Sequence, residues 1–308
     1  MLISIITPSY NQGQFLEQTI QSVLAQDYPH IEYLIIDGGS KDNSIEIIQR
    51  YAKRLAYWES SSDRGQAHAI NKGLQRASGE VLGWLNSDDL LLPDAVSRVV
   101  AAFRDHPDVD VVYGRIERID ERGEIVPTPL LPKDKVVFSK QLVVGECVIN
   151  QPGAFWQRSI MEKAGMLDED LHYAMDYEYW IRLALAGAQF MRLPETLAQF
   201  RLSGSSKTVG QLVYMSLEDL SVIDRLLSRP SLPQELGMSP DQLKLKARKL
   251  RGSINLKIFY GYFKRHQWQP AFTWLTRALR SDPLALFQWR WISLGAASIL
   301  RRMGHVVR

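Results

Sequence analysis

Apolar and polar positions alternate in blocks along the N-terminal part of the chain. Leu2–Thr7, Ile31–Ile36, Ala56–Glu59, Val81–Leu85 and Val109–Tyr113 are short apolar runs bounded by polar clusters, the pattern of buried strands. Between them, Gln14–Gln26 sets Phe15, Ile20, Val23 and Leu24 on one side at helical spacing. Asn43–Lys53, Gln66–Ala77 and Pro93–Phe103 also read as helices. Strand and helix in turn predict an α/β fold, a mostly parallel central sheet with crossover helices on its faces. In such sheets ligands bind beyond the carboxyl ends of the strands. The polar clusters sit there: Thr7–Asn11, Asp37–Asp42, Asp63–Gly65 and Asn86–Asp89 each follow a predicted strand.

The pattern changes after Arg115. Arg115–Leu131 reads as a hairpin turning at Glu121-Arg122-Gly123-Glu124. Asn150–Trp156 reads as a strand, Ser159–Ala164 and Tyr177–Ala186 as helices, and Gln189–Leu193 and Thr196–Phe200 as two further strands. Beyond Gly204 the expectation is helical: Leu212–Leu227, then a Pro- and Ser-rich break at Ser228–Pro240, then Asp241–Lys264 and Gln269–Arg280. Trp268, Ala271, Leu275, Ala278 and Leu279 give the last pair the look of one tetratricopeptide-type hairpin, too few for an array.

Charge divides the chain as the patterning does. Residues 1–204 hold 20 Lys+Arg against 28 Asp+Glu, whereas residues 205–308 hold 17 against 6, so the overall +3 hides an acidic part and a basic tail. The apolar share of 45% is that of an ordinary globular protein. A single cysteine, Cys147, excludes an internal disulfide and a Cys-based zinc site, and fits a reducing compartment. Met1–Ile6 has no basic n-region and reads as a first strand rather than a signal peptide. No run of uncharged apolar residues is long enough to predict a transmembrane helix.

The sharpest chemical signal is Leu85-Asn86-Ser87-Asp88-Asp89-Leu90. Adjacent carboxylates at the tip of a buried strand repel each other and are costly to desolvate. A hard divalent cation bridging them to a bound phosphate would relieve both costs. The alternative is a polar turn that opens the helix beginning near Pro93.

Thr7-Pro8-Ser9-Tyr10-Asn11, Asp37-Gly38-Gly39-Ser40-Lys41-Asp42-Asn43-Ser44 and Asn86-Ser87-Asp88-Asp89 resemble, in their usual order, three motifs of the inverting, nucleotide-sugar-dependent, non-processive family 2 glycosyltransferases of GT-A fold. Ser62–Gln66 with Ala69–Gly73, and Ala174–Arg182, are similar to that family's intervening segment and acceptor-side acidic motif. The resemblance covers about residues 1–205, leaving 206–308 as a basic helical extension. It implies a nucleotide-sugar-binding half at 1–114 and an acceptor-side half at 115–205. Donor contacts are expected from Thr7, Pro8, Tyr10, Asp37, Asp63, Asn71, Lys72 and Asp88, with Asp37 accepting from the base or ribose. Asp89 is expected to ligate Mg2+ or Mn2+, and Asp176 to act as the base that deprotonates the acceptor hydroxyl. Asp37 also suits an Asx turn, and Asp63 and Asp176 suit helix N-caps. Gln151-Pro152-Gly153 is expected to shape the acceptor side.

The chain departs from the family in two places. Where a metal- or diphosphate-binding histidine often follows Phe200-Arg201, this chain reads Leu202-Ser203-Gly204-Ser205-Ser206-Lys207, which leaves the hydroxyls or Lys207 to meet phosphate. The Gln-x-x-Arg-Trp segment of processive synthases is missing, which implies transfer of single sugars. The implied reaction takes a sugar, a UDP-sugar by family habit, to a carbohydrate or lipid-linked saccharide in surface polysaccharide or glycolipid assembly. Basic residues interleaved with aromatics from Gln242 onward, and the apolar Leu284–Leu300, suit the anionic inner face of a cell membrane rather than nucleic acid. A helical cap with solvated charges is the alternative for this tail. For the whole chain the alternative is a catalytically silent relative that binds sugar or is recruited to membranes. A dinucleotide oxidoreductase is excluded, since Thr7–Gly13 has no Gly-x-Gly-x-x-Gly turn.

Overall fold

The computed structural model describes residues 1–127, 149–203 and 211–285. The chain forms two compact units, whose described residues are 1–126 with 149–203, and 127 with 211–285.

The first unit is built on an eight-stranded mixed sheet. β1 (Ile3–Ser9), β2 (Ile31–Asp37), β3 (Tyr57–Ser60) and β4 (Val81–Trp84) are joined by α1 (Leu16–Leu24), α2 (Ser44–Tyr51) and α3 (Gln66–Arg76). β5 (Leu90–Leu91), α4 (Ala95–Asp105), β6 (Val111–Ile119), β7 (Ala154–Gln157), α5 (Arg158–Ala164), α6 (Met175–Leu185) and β8 (Phe190–Arg201) follow. The spatial order is β3-β2-β1-β4-β7-β6-β8-β5. β3, β2, β1 and β4 are parallel, so their carboxyl ends open on one edge, and the order reverses between β1 and β4. That reversal is where an open α/β sheet forms its binding crevice.

The strands are apolar on both faces because helices cover both. Ile3 and Ile5 join Leu16, Ile20, Ile47, Val96 and Val99 in one core. Ile6 points the other way, into α3, where a β-carbon at Gly73 would collide with its side chain. Any larger residue at 73 would drive α3 off β1. Each fully buried aliphatic side chain contributes about 1.5–3 kcal/mol, so the core as a whole fixes the strand tips.

The expected mostly parallel sheet forms, with antiparallel members added, and one strand expectation is corrected. The sheet is mixed: β7 runs antiparallel to both β4 and β6, and β5 antiparallel to β8. Ala154–Trp156 is buried on both faces, so its pattern carries no sign of strand direction. The two strands expected around Pro194 are one twelve-residue strand. The proline lies where the β6–β8 register shifts between Tyr113 and Arg115, an irregularity that removes the need for its missing N–H. The turn after β6 forms as expected, with Asp120 Oδ1 accepting from the N–H groups of Arg122 and Glu124, both at 2.9 Å. The rest of the expected hairpin, and Cys147, lie outside the described residues.

The second unit contains α7 (Leu212–Leu227), α8 (Leu232–Leu236), α9 (Pro240–Lys264) and α10 (Trp268–Ser281). α8 lies inside the segment read from sequence as a Pro- and Ser-rich break, and ends at Gly237 at φ 60. α9 starts on a capping box: Ser239 Oγ accepts from Gln242 N, and Gln242 Oε1 from Ser239 N. α9 and α10 form an antiparallel hairpin around Leu256 and Ala278. Lys207 and residues 286–300 of the expected interfacial helix lie outside the described residues. No helix among the described residues is long and apolar enough to cross a membrane.

Candidate active site

The carboxyl-end loops are stitched together before any ligand is considered. Asn11 N donates to Ser40 Oγ and Lys41 N to Asn11 Oδ1, both at 2.8 Å. Asn11 takes φ 50, a left-handed conformation that Asn tolerates better than most residues. Gln12 N reaches Ser44 Oγ at 3.1 Å and Gly13 N reaches Asp42 Oδ2 at 2.9 Å. Asp42 also takes the Ser44 N–H at 3.0 Å at the start of α2. The loops after β1 and β2 are thus one rigid wall.

Asp37 is the keystone of that wall. Its buried carboxylate accepts from Gly39 N (3.0 Å), Ser40 N (2.9 Å), Ser40 Oγ (2.5 Å) and Ser60 Oγ (2.6 Å). These bonds build the Asx turn that the sequence also suits, and they hold the loop after β2 in place. Asp63 reaches over the same loop. A β-carbon on Gly38 would come within 2.6 Å of Asp63 Oδ2, so a larger residue at 38 would push the Asp63 carboxylate aside. Asp63 does not cap α3 directly. Its Oδ1 takes the Gly65 N–H at 2.9 Å, and Gly65 is the capping residue, at φ 120.

Several other residues expected at the donor site also bond within the protein. The buried Thr7 hydroxyl pairs with the Tyr33 hydroxyl at 3.0 Å, tying β1 to β2. Pro8 is buried, whereas Tyr10 stands 60% exposed beside it and is free to stack on a planar ring. Lys72 pairs with Glu59 and donates to Ser61 Oγ at 2.9 Å. Asn71 is buried: its Nδ2 donates to Leu167 O (2.9 Å) and Glu169 Oε1 (3.0 Å), and its Oδ1 accepts from Leu167 N (3.0 Å). Asn71 therefore anchors the loop before α6, and Glu169 of that loop also pairs with Arg64.

The acidic turn joins β4 to β5. Asn86 O accepts from Asp89 N at 3.1 Å, and Asn86 Oδ1 from Gln66 Nε2 at 2.8 Å. Asp89 has no exposed surface; its Oδ1 accepts from Arg201 N (3.0 Å) and its Oδ2 from Asn86 Nδ2 (3.3 Å). Burial, and secondly the Asp88 charge, push the Asp89 carboxyl well above the usual carboxylate range. Asp88 remains partly exposed; burial raises it too, against its own backbone amide and the Arg201 charge.

Arg201, at the end of β8, is fully buried beneath this turn. Its guanidinium donates to main-chain carbonyls, Asp88 O (2.9 Å), Asp120 O (3.0 Å) and Glu121 O (3.2 Å), and to Gln18 Oε1 (2.8 Å). It lies 4.7 Å over the Phe15 ring. The guanidinium thus buttresses the turn through carbonyls and leaves the carboxylates to other partners. Crowded carboxylate oxygens of this kind would hold a hard divalent cation together with oxygens of a bound phosphate; among the described residues no group of three or more His, Cys, Asp or Glu forms a complete metal site.

Asp176 lies in the first turn of α6 rather than at its cap, which is Ala174. Its Oδ1 accepts from Tyr177 N at 2.7 Å, and burial pushes its carboxyl up to about 6. Glu178 faces elsewhere, pairing with Arg182 Nε at 2.8 and 2.9 Å. One turn beyond Asp176, Trp180 stacks on Trp84, the last residue of β4, with centroids 5.7 Å apart and planes 5° apart. Trp156 packs edge-on against both, at 5.3 and 5.7 Å. This aromatic cluster fixes α6 relative to the strand that carries Asn86–Asp89. Gln151 Nε2 completes the support by donating to Trp84 O at 2.6 Å.

The model of the family described as Glycosyl transferase family 2 matches residues 4–163. The chain belongs to glycosyl transferase family 2. Among curated relatives of this family 2 protein, an uncharacterized glycosyltransferase of Rickettsia typhi is 31% identical over 192 residues, covering 59% of this chain and 58% of that one. Another, from Mycobacterium tuberculosis, is 32% identical over 189 residues, covering 59% and 69%. The chain thus matches little more than half the length of the first of these. Among solved structures, residues 1–349 of Staphylococcus aureus TarS, in complex with UDP-GlcNAc, superpose with a TM-score of 0.60 at 14% identity, covering 90% of this chain and 91% of that one. The mannosyltransferase PcManGT of Pyrobaculum calidifontis, in complex with GDP-Man and Mn2+, superposes at 0.54 with 18% identity, covering 93% and 87%. These likenesses establish the GT-A fold for the family 2 chain.

Proposed function

We propose that the protein transfers a sugar, with inversion, from a UDP-sugar to a hydroxyl of a saccharide acceptor, assisted by a divalent metal. The observation that carries this reading is the pairing of two unlike acidic sites on one scaffold. The Asn86–Asp89 turn presents crowded oxygen donors, and Asp176, fixed through the Trp84–Trp180 stack, offers a carboxyl poised near 6. A carboxyl of that kind can hold and release a proton at neutral pH. TarS and PcManGT, solved with nucleotide sugars, support the donor class.

In this reading Tyr10 stacks on the base, and the wall made by Asp37, Asp63 and Asn11 shapes the ribose and diphosphate site. A divalent cation there would neutralise charge as it builds on the leaving nucleoside diphosphate. Asp176 takes the proton of the acceptor hydroxyl, whose oxygen bonds to the anomeric carbon. The bond from that carbon to the donor phosphate oxygen breaks on the opposite face, which inverts the configuration. Catalysis belongs to residues 1–205; residues 206–308 form an extension that brings the enzyme to an anionic membrane carrying a lipid-linked acceptor. The setting is surface polysaccharide or glycolipid assembly on the cytoplasmic face. The contrast of −8 and +11 in net charge between residues 1–204 and 205–308 supports that division of labour.

The carboxylate expected from sequence to ligate the metal is Asp89, but the geometry favours Asp88 for direct ligation, since Asp89 already accepts from Arg201 and Asn86. Calorimetric titration of UDP with and without Mn2+ tests this. Asp88→Asn is expected to abolish the metal-dependent part of UDP affinity. Asp89→Asn, altering a neighbour of the ligand, is expected to weaken it by about 10–100-fold. Retained metal dependence in the Asp88 variant would refute the assignment.

A further inference from the structure

The connection between α9 and α10 carries an unusual surface. Phe263, Trp268 and Phe272 are 42%, 49% and 60% exposed. They are contiguous: Phe263 meets Trp268 edge-on at 5.1 Å, and Phe272 follows Trp268 by one helical turn. Phe259 lies behind Phe263 at 5.6 Å, and His266, at φ 55, turns the chain so that its ring lies 5.8 Å from Trp268. Lys264 and Arg265 flank the rings and are exposed. A soluble hairpin gains nothing by holding three large aromatics in water, and such patches mark interaction sites.

Charge decides the occupant. Residues 242–281 contain ten Lys+Arg and no Asp or Glu. The exposed rings sit at the connection between α9 and α10, with Lys264 and Arg265 beside them. Aromatic rings at headgroup depth, ringed by Lys and Arg that reach lipid phosphates, are what an anionic bilayer interface takes up. We propose that the α9–α10 tip is the membrane-inserting element of this protein, with Phe263, Trp268 and Phe272 entering an anionic bilayer and Lys264 and Arg265 meeting its phosphates. This rests on the reading of a membrane-borne acceptor, and it assigns the contact to the described hairpin rather than to Leu284–Leu300.

The test is co-sedimentation of the full chain with vesicles of phosphatidylcholine alone or mixed with phosphatidylglycerol. The unaltered protein is expected to pellet with the mixed vesicles only, and less so as salt rises. F263S/W268S/F272S is expected to stay in the supernatant with helix content unchanged by circular dichroism. K264E/R265E, which reverses two surface charges while keeping Phe263, Trp268 and Phe272, is expected to partition at least about 30-fold more weakly. If both variants pellet like the unaltered chain, or if only R301E/R302E loses binding, the tip proposal fails while membrane contact stands. If the unaltered chain ignores mixed vesicles yet binds nucleotide, membrane contact itself fails and sugar transfer stands.

Discussion

Asp176→Asn is expected to lower kcat by about 10²–10⁴-fold while leaving donor affinity within a factor of about two, because a general base acts in the transfer step alone. The unaltered enzyme should lose activity below pH about 6, tenfold per pH unit, as the Asp176 carboxyl takes up its proton. Stability should move the opposite way. The folded-state value of about 6 lies above the ordinary aspartate value of about 3.9, so the folded protein binds this proton more tightly. The stability contributed by that group is fully present near pH 4 and is lost as pH rises through about 6. Asp176→Asn should therefore be more stable than the unaltered chain at pH 7–8 and no more stable near pH 4. Unchanged kcat in the Asn variant would remove Asp176 from the chemistry.

Arg201→Leu is expected to cost about 3–5 kcal/mol, the range for removing one partner from a buried charged network. Leucine fills part of the space yet leaves Asp88 O, Asp120 O, Glu121 O and Gln18 Oε1 without their donors. It also strips the nearest positive charge from two carboxylates that already repel each other. Arg201→Lys keeps the charge but cannot span the same carbonyls, so it should fall between. Urea denaturation measures this as a lower midpoint with little change in slope. A cost under about 1 kcal/mol would show that the turn holds itself and that Arg201 is not its buttress.

The parts of this molecule that follow one-dimensional rules were legible before any coordinates. Apolar runs and helical spacing marked β1 to β4 and α1 to α4, because both faces of those strands are buried and each helix shows an apolar side. Direction was not legible for β7, whose Ala154–Trp156 run is buried on both sides. β8 was split in two because Pro194 mimics a strand end, and only the shift in β6–β8 register shows why it is tolerated.

The site follows the same division. Chemistry-bearing residue types, Asp88, Asp89 and Asp176 among them, could be marked from motif order, but a motif does not say which oxygen is already engaged. Asp37, Thr7, Asn71 and Lys72 all have suitable donors or acceptors, and each makes at least one bond within the protein. The role of Arg201 was not legible because its partners, Gln18, Asp88, Asp120 and Glu121, are far apart in sequence. An arginine closing a strand as apolar as Leu197–Phe200 was the available clue. The stacking of Trp84 on Trp180 had no local signature, because it depends on α6 folding back over β4.

The most direct test is a thermal-shift panel of UDP-sugars, UDP, GDP-sugars and NAD, each with and without Mn2+ and then with chelator. The account predicts that UDP and one UDP-sugar raise Tm in the presence of Mn2+, that chelator removes the shift, and that NAD does nothing. No shift with any nucleotide, under any metal condition, would contradict a metal-dependent donor site at the Asn86–Asp89 turn.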